Sequence, residues 1–325
     1  MKSLGTLFSN CIPSALALIV VVSSPIHAAD RDALNSQPLL GRWDLTVHDG
    51  DNTYPSWIEV KLSGRNTLVG SYVGQFGSAR PVAKIEFDKT SGHFHFVVPP
   101  QWEHRTNDVI VEGTLKGDAL SGSVPNDTGN PIPWEGHRAP ALVRDHPPKW
   151  GQPVELFNGH DLAGWKPRSA NAKNGWQIRD GLLANANPGN DLLTERKFTD
   201  FKLRAEFRYP KDANSGIYLR GRYEVQIEDD FGLEPESHLI GGVYGHLTPR
   251  VNTAKKSGEW QTLEITLVGR VVNIVLNGEP IIERQSIPGI TGGALDSNEE
   301  KPGPLLIQGD HGQVEFRKLT LTPAE

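Results

Sequence analysis

At 325 residues the chain is long enough for about two domains, and its net charge of −6 lacks the basic surface needed to neutralise nucleic-acid phosphates. With 34 Gly, 24 Pro and 8 Trp and no long helix-periodic run, the composition is that of an all-β, turn-rich protein.

Lys2 is the only charge before Asp30, residues 15–22 are apolar, and Ile26-His27-Ala28-Ala29 offers small residues for cleavage. This pattern predicts a signal peptide over 1–28 and a periplasmic or secreted protein. The apolar run falls short of the roughly 20 residues that span a bilayer, so no stable membrane insertion is expected after cleavage; an uncleaved anchor is the alternative. Cys11, the single cysteine, would leave with the signal. The remaining chain would then have no disulfide, no thiol chemistry and no cysteine-based metal site.

Residues 38–140 read as a small antiparallel barrel. Strand-like runs follow closely at 41–47, 57–62, 67–73, 82–87, 93–98, 109–115 and 119–124, with Gly-containing turns such as Ser63-Gly64 and Ser91-Gly92 between several of them. Gly41-Arg42-Trp43 resembles the opening of lipocalin-like barrels, where the Trp closes one end; the alternative is a Trp filling an ordinary sandwich core. His93, His95 and His104 lie near Trp102 without a metal-ligand pattern. The barrel's role stays open between an accessory sugar binder, a docking module and a wall over a site on the second domain. Pro140, Pro147 and Pro148 mark a linker over 141–152.

From 153 to 325 the strands lengthen. Phe201, Leu203, Ala205 and Phe207 alternate with charged residues, as do Leu263, Ile265 and Leu267 with polar ones, and Asn277-Gly278 is a two-residue hairpin turn. One apolar face per strand describes a sandwich of two antiparallel sheets. Asn214 to Asp229 reads as a hairpin reversing at Gly221. Strand parity puts Tyr218 and Arg220 on one face of its first strand and Glu224, Gln226 and Glu228 on one face of its second. A guanidinium, carboxylates and an amide on one sheet surface suit a polyhydroxylated ligand.

Leu156-Phe157-Asn158-Gly159-His160-Asp161-Leu162-Ala163-Gly164-Trp165, Trp176-Gln177-Ile178-Arg179-Asp180-Gly181 and the strand from Phe201 to Arg208 open a series of signposts. The hairpin, Gly258-Glu259-Trp260-Gln261, Gly303-Pro304-Leu305-Leu306-Ile307-Gln308 and Gly312-Gln313-Val314-Glu315-Phe316-Arg317 complete it. Together they resemble the 3-keto-disaccharide hydrolase family from Val154 to the C-terminus. The resemblance implies a concanavalin-like jelly roll and a carbohydrate or glycoside substrate.

The Glu-x-Asp-x-x-Glu strand of the related glucanases is absent, since Gln226 stands between Glu224 and Glu228. Alternate positions on one strand are roughly 7 Å apart, against about 5 Å for a retaining carboxylate pair. The substrate that the resemblance implies permits another route. A ketone at C3 acidifies the C2 proton; its removal gives an enediolate, the C1 substituent is eliminated, and water adds later.

On that chemistry Glu224 is the first candidate base and Glu206 the second, with a solvated strand face as the alternative for each. Arg220 would anchor or polarise the ketone, or else hold Glu206 or Glu224 in an ion pair. His311 and His246, in turn-rich segments, are acid–base or binding candidates. Asn214, Tyr218, Gln226, Tyr244 and Gln308 are candidate substrate contacts, the amides because they both donate and accept. Trp165, Trp176 and Trp260 serve the core or stack on a ring. No metal or other cofactor is expected; Asp229, Asp230 and the dispersed histidines leave a divalent ion such as calcium as the alternative. A non-catalytic carbohydrate-binding protein and a cell-surface interaction module are the competing functions.

Overall fold

The computed structural model describes residues 37–325; the expected signal segment 1–28 lies outside the described residues. All strands and no helices make up the regular structure from residue 37 onward, so among the described residues there is no helix to cross a membrane.

Residues 41–138 close into a barrel of eight antiparallel strands, each paired with the next and the last with the first. These are β1 (Gly41–Asp49), β2 (Asn52–Ser63), β3 (Thr67–Val73), β4 (Arg80–Phe87), β5 (His93–Val98), β6 (Val109–Lys116), β7 (Ala119–Pro125) and β8 (Pro131–Arg138). Residues at a spacing of two, such as Trp43, Leu45 and Val47 on β1 and Phe94, Phe96 and Val98 on β5, fill the interior. The sequence runs gave seven strands, and β8 is the eighth. Its Pro131 and Pro133 cannot donate to a ladder and so read as loop, yet Ile132 and Trp134 between and after them are buried with the same spacing of two. Trp43 belongs to the barrel interior. Its indole N–H donates to the Leu39 carbonyl at 3.0 Å, and the Arg138 guanidinium stacks 3.8 Å from its ring centre. Gly41, at φ +116°, leaves room for that arginine, because a Cβ there would stand 3.0 Å from its Nη1.

The second layer system comprises β9 (Val154–Glu155), β10 (Trp165–Pro167), β11 (Trp176–Arg179), β12 (Leu182–Asn185), β13 (Leu192–Phe198), β14 (Phe201–Arg208) and β15 (Asn214–Leu219). It continues with β16 (Tyr223–Glu228), β17 (Gln261–Val268), β18 (Val271–Leu276), β19 (Glu279–Ser286), β20 (Gly303–Ile307) and β21 (Val314–Pro323). One sheet runs β10-β13-β20-β15-β16. The other runs β11-β12-β21-β14-β17-β18-β19, with β9 paired to β21. Leu203, Ala205 and Phe207 of β14, Ile217 and Leu219 of β15 and Leu263, Ile265 and Leu267 of β17 share the core between them. The result is a jelly-roll sandwich. Asn277-Gly278 joins β18 to β19 with φ of +53° and +87°, the left-handed pair that a type I′ turn demands.

Barrel and sandwich are joined by more than the chain between them, and Leu39–Glu325 forms one compact unit. In the connection after β8, the Pro140 carbonyl accepts from Arg270 Nε at 2.9 Å, and Arg144 makes two bonds to Asp200 at 2.6 and 2.9 Å. Trp57, on barrel strand β2, packs into the sandwich core. The segment 287–302, between β19 and β20, is held from both sides. Gly289 lies flush against the Trp57 indole, Gly293 N–H donates to the Gln75 carbonyl at 2.8 Å, and Ser297 Oγ donates to the Leu45 carbonyl.

A buried polar cluster lies at this junction. Glu299, fully buried, accepts from Tyr223 Oη and from Arg270 Nη1, both at 2.6 Å, and its other oxygen accepts from Arg270 Nη2. Asp44 of β1 is fully buried beside it, and among the described residues no donor reaches either of its oxygens, which leaves the Glu299 carboxylate as the acceptor for its acid proton. Burial, then the neighbouring Glu299 carboxylate, raises the Asp44 carboxyl to about 9. Asp44 is therefore protonated in the folded state at neutral pH. Between its ordinary value of 3.8 and about 9 the folded state binds the extra proton, so this group lowers stability as pH rises through that window. Asp44→Asn, which keeps the shape and cannot ionise, is expected to raise the melting temperature, by the equivalent of about 1–3 kcal/mol at pH 8. The gain should be clearly smaller at pH 5. Melting curves that run in parallel across this range would place the proton elsewhere.

Candidate active site

The β15–β16 hairpin forms the floor. Its register sets Tyr218 opposite Glu224, Gly216 opposite Gln226 and Asn214 opposite Glu228. Because Ile217, Leu219, Val225 and Ile227 enter the sandwich core, these alternate residues point to the other face of the sheet. Glycine at position 216 leaves room for the Glu224 carboxylate lying over it, which a Cβ there would displace. That face is covered by the 287–302 segment and by two barrel loops, and Glu224 is only 4% exposed. What remains is a cavity of about 310 Å³. Phe76, Gly77 and Trp102 enter from the barrel; Arg168, Asp191, Gln308, Asp310 and His311 come from loops at strand ends of the sandwich.

Glu224 and His311 are among the titratable groups that face this space. Burial, foremost, pushes the Glu224 carboxyl up to about 8; the Tyr218 hydroxyl and His311 pull it down, while Asp191 and Asp310 push it further up. Tyr218 Oη lies 2.9 Å from Glu224 Oε2 and 3.0 Å from the Gly292 carbonyl. A tyrosine has one proton to give. With Glu224 ionised, Tyr218 donates to it; with Glu224 protonated, the acid donates to Tyr218, which turns its own proton to Gly292. The same geometry satisfies both charge states of Glu224. His311 Nδ1 lies 2.5 Å from Asp310 Oδ1, and this hydrogen bond above all raises the imidazole above its ordinary 6.5, with Glu224 and Asp191 adding to the effect. Arg168 donates from Nη1 to Asp191 Oδ2 at 3.0 Å and to the Gly293 carbonyl at 3.1 Å. Gly309 N–H donates to the other Asp191 oxygen at 3.0 Å.

Two amides are incompletely paired. Gln226 donates from Nε2 to Glu228 Oε2 at 3.0 Å, but among the described residues its buried Oε1 has no partner. The buried Oε1 of Gln308 has none either. Buried acceptors are nearly always satisfied, and these two unpaired ones belong to residues that line the same cavity.

Of the ten candidate catalytic and substrate-contact residues, Glu224, His311, Asn214, Tyr218, Gln226, Tyr244 and Gln308 line this cavity. Three do not. Arg220 leaves the strand parity because it sits at φ +56° in the hairpin turn; it is buried at the far end of the strand, donating to Tyr223 Oη at 2.8 Å and to the Gly269 carbonyl at 3.1 Å. Glu206 is on β14 of the other sheet, where Arg204 and Arg317 hold it at 2.9 and 2.8 Å. His246 bonds the Ile290 carbonyl at 3.0 Å and meets the Trp57 ring edge-on.

Arg168 and Asp191 were not signalled. They occupy irregular segments beside β10 and β13 that carry no alternation; the closeness of Arg168 to the motif ending at Trp165 was the available hint. Among the described residues no group of three or more His, Cys, Asp or Glu is placed to hold a metal ion. Asp229 and Asp230 each accept a loop N–H, from Asp212 at 3.0 Å and from Ile240 at 2.8 Å.

A curated relative, the 3-keto-disaccharide hydrolase of Bacteroides thetaiotaomicron, is 24% identical over 167 residues, which make up 40% of this chain and 57% of the relative. The chain thus spans little more than half the length of that relative. Among solved structures, a candidate glycosyl hydrolase from Parabacteroides distasonis aligns at 22% identity and a TM-score of 0.45, covering 53% of this chain and 94% of the other. A non-specific endo-β-1,3(4)-glucanase aligns at 8% identity and a TM-score of 0.36, covering 55% and 91%. The sequence pattern of one family matches residues 152–322, the β-sandwich that carries the floor of the cavity. The chain belongs to the family of 3-keto-α-glucoside-1,2-lyase-like domains.

Proposed function

We propose that this protein cleaves 3-keto-glycosides by removing the C2 proton, eliminating the C1 substituent and admitting water to the resulting unsaturated ketone. The observation that carries the reading is one cavity holding a raised carboxyl, Glu224, and a raised imidazole, His311, beside two unpaired amide oxygens. Glu224 takes the C2 proton, and the electron pair moves into the C2–C3 bond and onto the ketone oxygen. Arg168, the guanidinium that lines the cavity, faces the charge developing there. The electrons then return to form the C1–C2 double bond, the C1–O bond breaks, and protonated His311 gives its proton to the departing oxygen. Gln226 and Gln308 accept from ring hydroxyls. The anion of Glu224 and the cation of His311 each favour the other, so their titrations are linked.

Glu224→Gln should fold with the wild-type melting temperature or higher, because it removes a desolvated acid. Turnover of a 3-keto-glucoside, followed by release of the aglycone, should fall by about 10²-fold or more. Wild-type turnover in this variant would remove Glu224 from the mechanism. A wild-type protein that binds the glycoside without cleaving it would make this a sugar-binding module.

The rate should also depend on pH in a signed way. kcat/KM should rise as Glu224 ionises and fall as His311 loses its proton. Asp310→Asn removes the anion that holds the imidazole up, so the alkaline limb should move to lower pH. A pH–rate profile whose alkaline limb stays in place would assign the proton donor to another group.

A further inference from the structure

Phe76 and Trp102 are 51% and 58% exposed, unusual for large aromatic side chains outside an interface. They stand on the β3–β4 and β5–β6 loops of the barrel, and both loops are fixed. Arg80, buried between them, donates to the Pro99 carbonyl at 2.9 Å and makes a two-point pair with Glu103 at 2.9 and 3.2 Å. Gln101 Nε2 donates to Ser78 Oγ at 3.0 Å. The Trp102 indole lies on Gly77 so closely that no side chain fits there, and Gly292 is packed just as closely on the Gly77 backbone. Two apolar rings are thus presented to water on a clamped frame, at the edge of the site.

The same two rings also line a second cavity of about 420 Å³ at the mouth of the barrel, bordered by Tyr54, Asp49, His104 and Asp127. The two spaces therefore share Phe76 and Trp102 in their walls, and each is large enough for one pyranose ring. We infer that the barrel supplies the leaving-group subsite: the departing part of the glycoside stacks on Trp102 and Phe76 and reaches into the barrel mouth, where carboxylate and phenol oxygens receive its hydroxyls. The chemistry selects a hydroxylated ring. Its C–H faces pack on aromatic surfaces, its hydroxyls donate to Asp49 and Asp127, and an anionic leaving group would be repelled there. This inference rests on the proposed 3-keto-glycoside chemistry for the position of the scissile bond, but the binding it describes does not depend on turnover.

The test compares wild type with Trp102→Ala and Phe76→Ala on two substrates, methyl 3-keto-glucoside and a 3-keto-disaccharide. The ratio of kcat/KM for disaccharide over methyl glycoside should fall about tenfold in either variant and recover in part in Trp102→Phe. An unchanged ratio overturns the subsite. Binding of the unoxidised disaccharide, read by titration calorimetry, separates this inference from the catalytic one. Affinity should drop about tenfold in Trp102→Ala even if the wild type proves to have no turnover, and equal affinities in the two proteins overturn the subsite whatever the activity. Equal melting temperatures, expected for side chains this exposed, exclude unfolding as the cause.

Discussion

The arrangement depends on how the segment 287–302 is held. It leaves the large sheet after β19, crosses the face of the small sheet and returns as β20, anchored on one side to the barrel through Gln75, Trp57 and Leu45. On the other side Glu299 ties it to Arg270 and Tyr223, and Thr291 Oγ1 accepts the Glu224 N–H at 3.0 Å. An isolated small sheet would offer Glu224 to solvent, where a carboxyl stays near its ordinary value. With this cover it is desolvated, and the Gly292 carbonyl supplied by the same segment completes the Tyr218 relay. The chemistry of Glu224 therefore begins with the packing of the barrel on the sandwich.

The same junction shows how burial of charge is used in two ways. Glu299 and Arg270 are paired oxygen for nitrogen and closed to water, an arrangement that fixes geometry more than it adds stability. Asp44 beside them bears the unfavourable side of that burial as a neutral acid. In the cavity, by contrast, Gln226 and Gln308 keep acceptors unpaired next to an accessible space. An unsatisfied group walled in by protein only costs stability; one that faces a cavity is satisfied when a ligand arrives.

Most of the floor was legible in the sequence because parity is a strict property of a strand. It placed Tyr218, Glu224 and Gln226 on one face from residue order alone. Parity ends where the chain turns, and Arg220 was misplaced for that reason: at φ +56° it belongs to the turn and not to the strand. Glu206 was misplaced for another. Alternation tells which residues of β14 avoid the core, but not which of two sheets carries the strand. Arg168 and Asp191 lie in segments without a period, so no pattern pointed to them. Strand β8 was hidden by its prolines. The barrel's contribution to the cavity was only one of three open readings, because Phe76 and Trp102 reach the site through contacts between residues some 200 positions apart, on the order of the separation of Gly77 and Gly292.

The charges of the cavity explain why a raised carboxyl suits the proposed reaction. Asp191, Asp310 and Glu224 face Arg168 and His311, so full ionisation leaves one negative charge in excess, and protonating Glu224 removes it. That surplus is part of why its affinity for a proton is high. When the C2 proton passes to Glu224, the negative charge leaves the carboxylate and reappears on the ketone oxygen. The net charge of the cavity is unchanged by the step, and the burial that raises the Glu224 carboxyl gives this base its push toward the proton. A carboxylate held at its ordinary acidity would lack this push by several units of pKa, each worth about 1.4 kcal/mol. In the glycosidases that use two carboxylates, one acts as acid while the second attacks or activates water. Here the remaining carboxylates are engaged, Asp191 by Arg168 and Gly309 and Asp310 by His311. The proton economy of the site therefore favours a single base paired with an imidazolium, which is what an elimination next to a ketone requires.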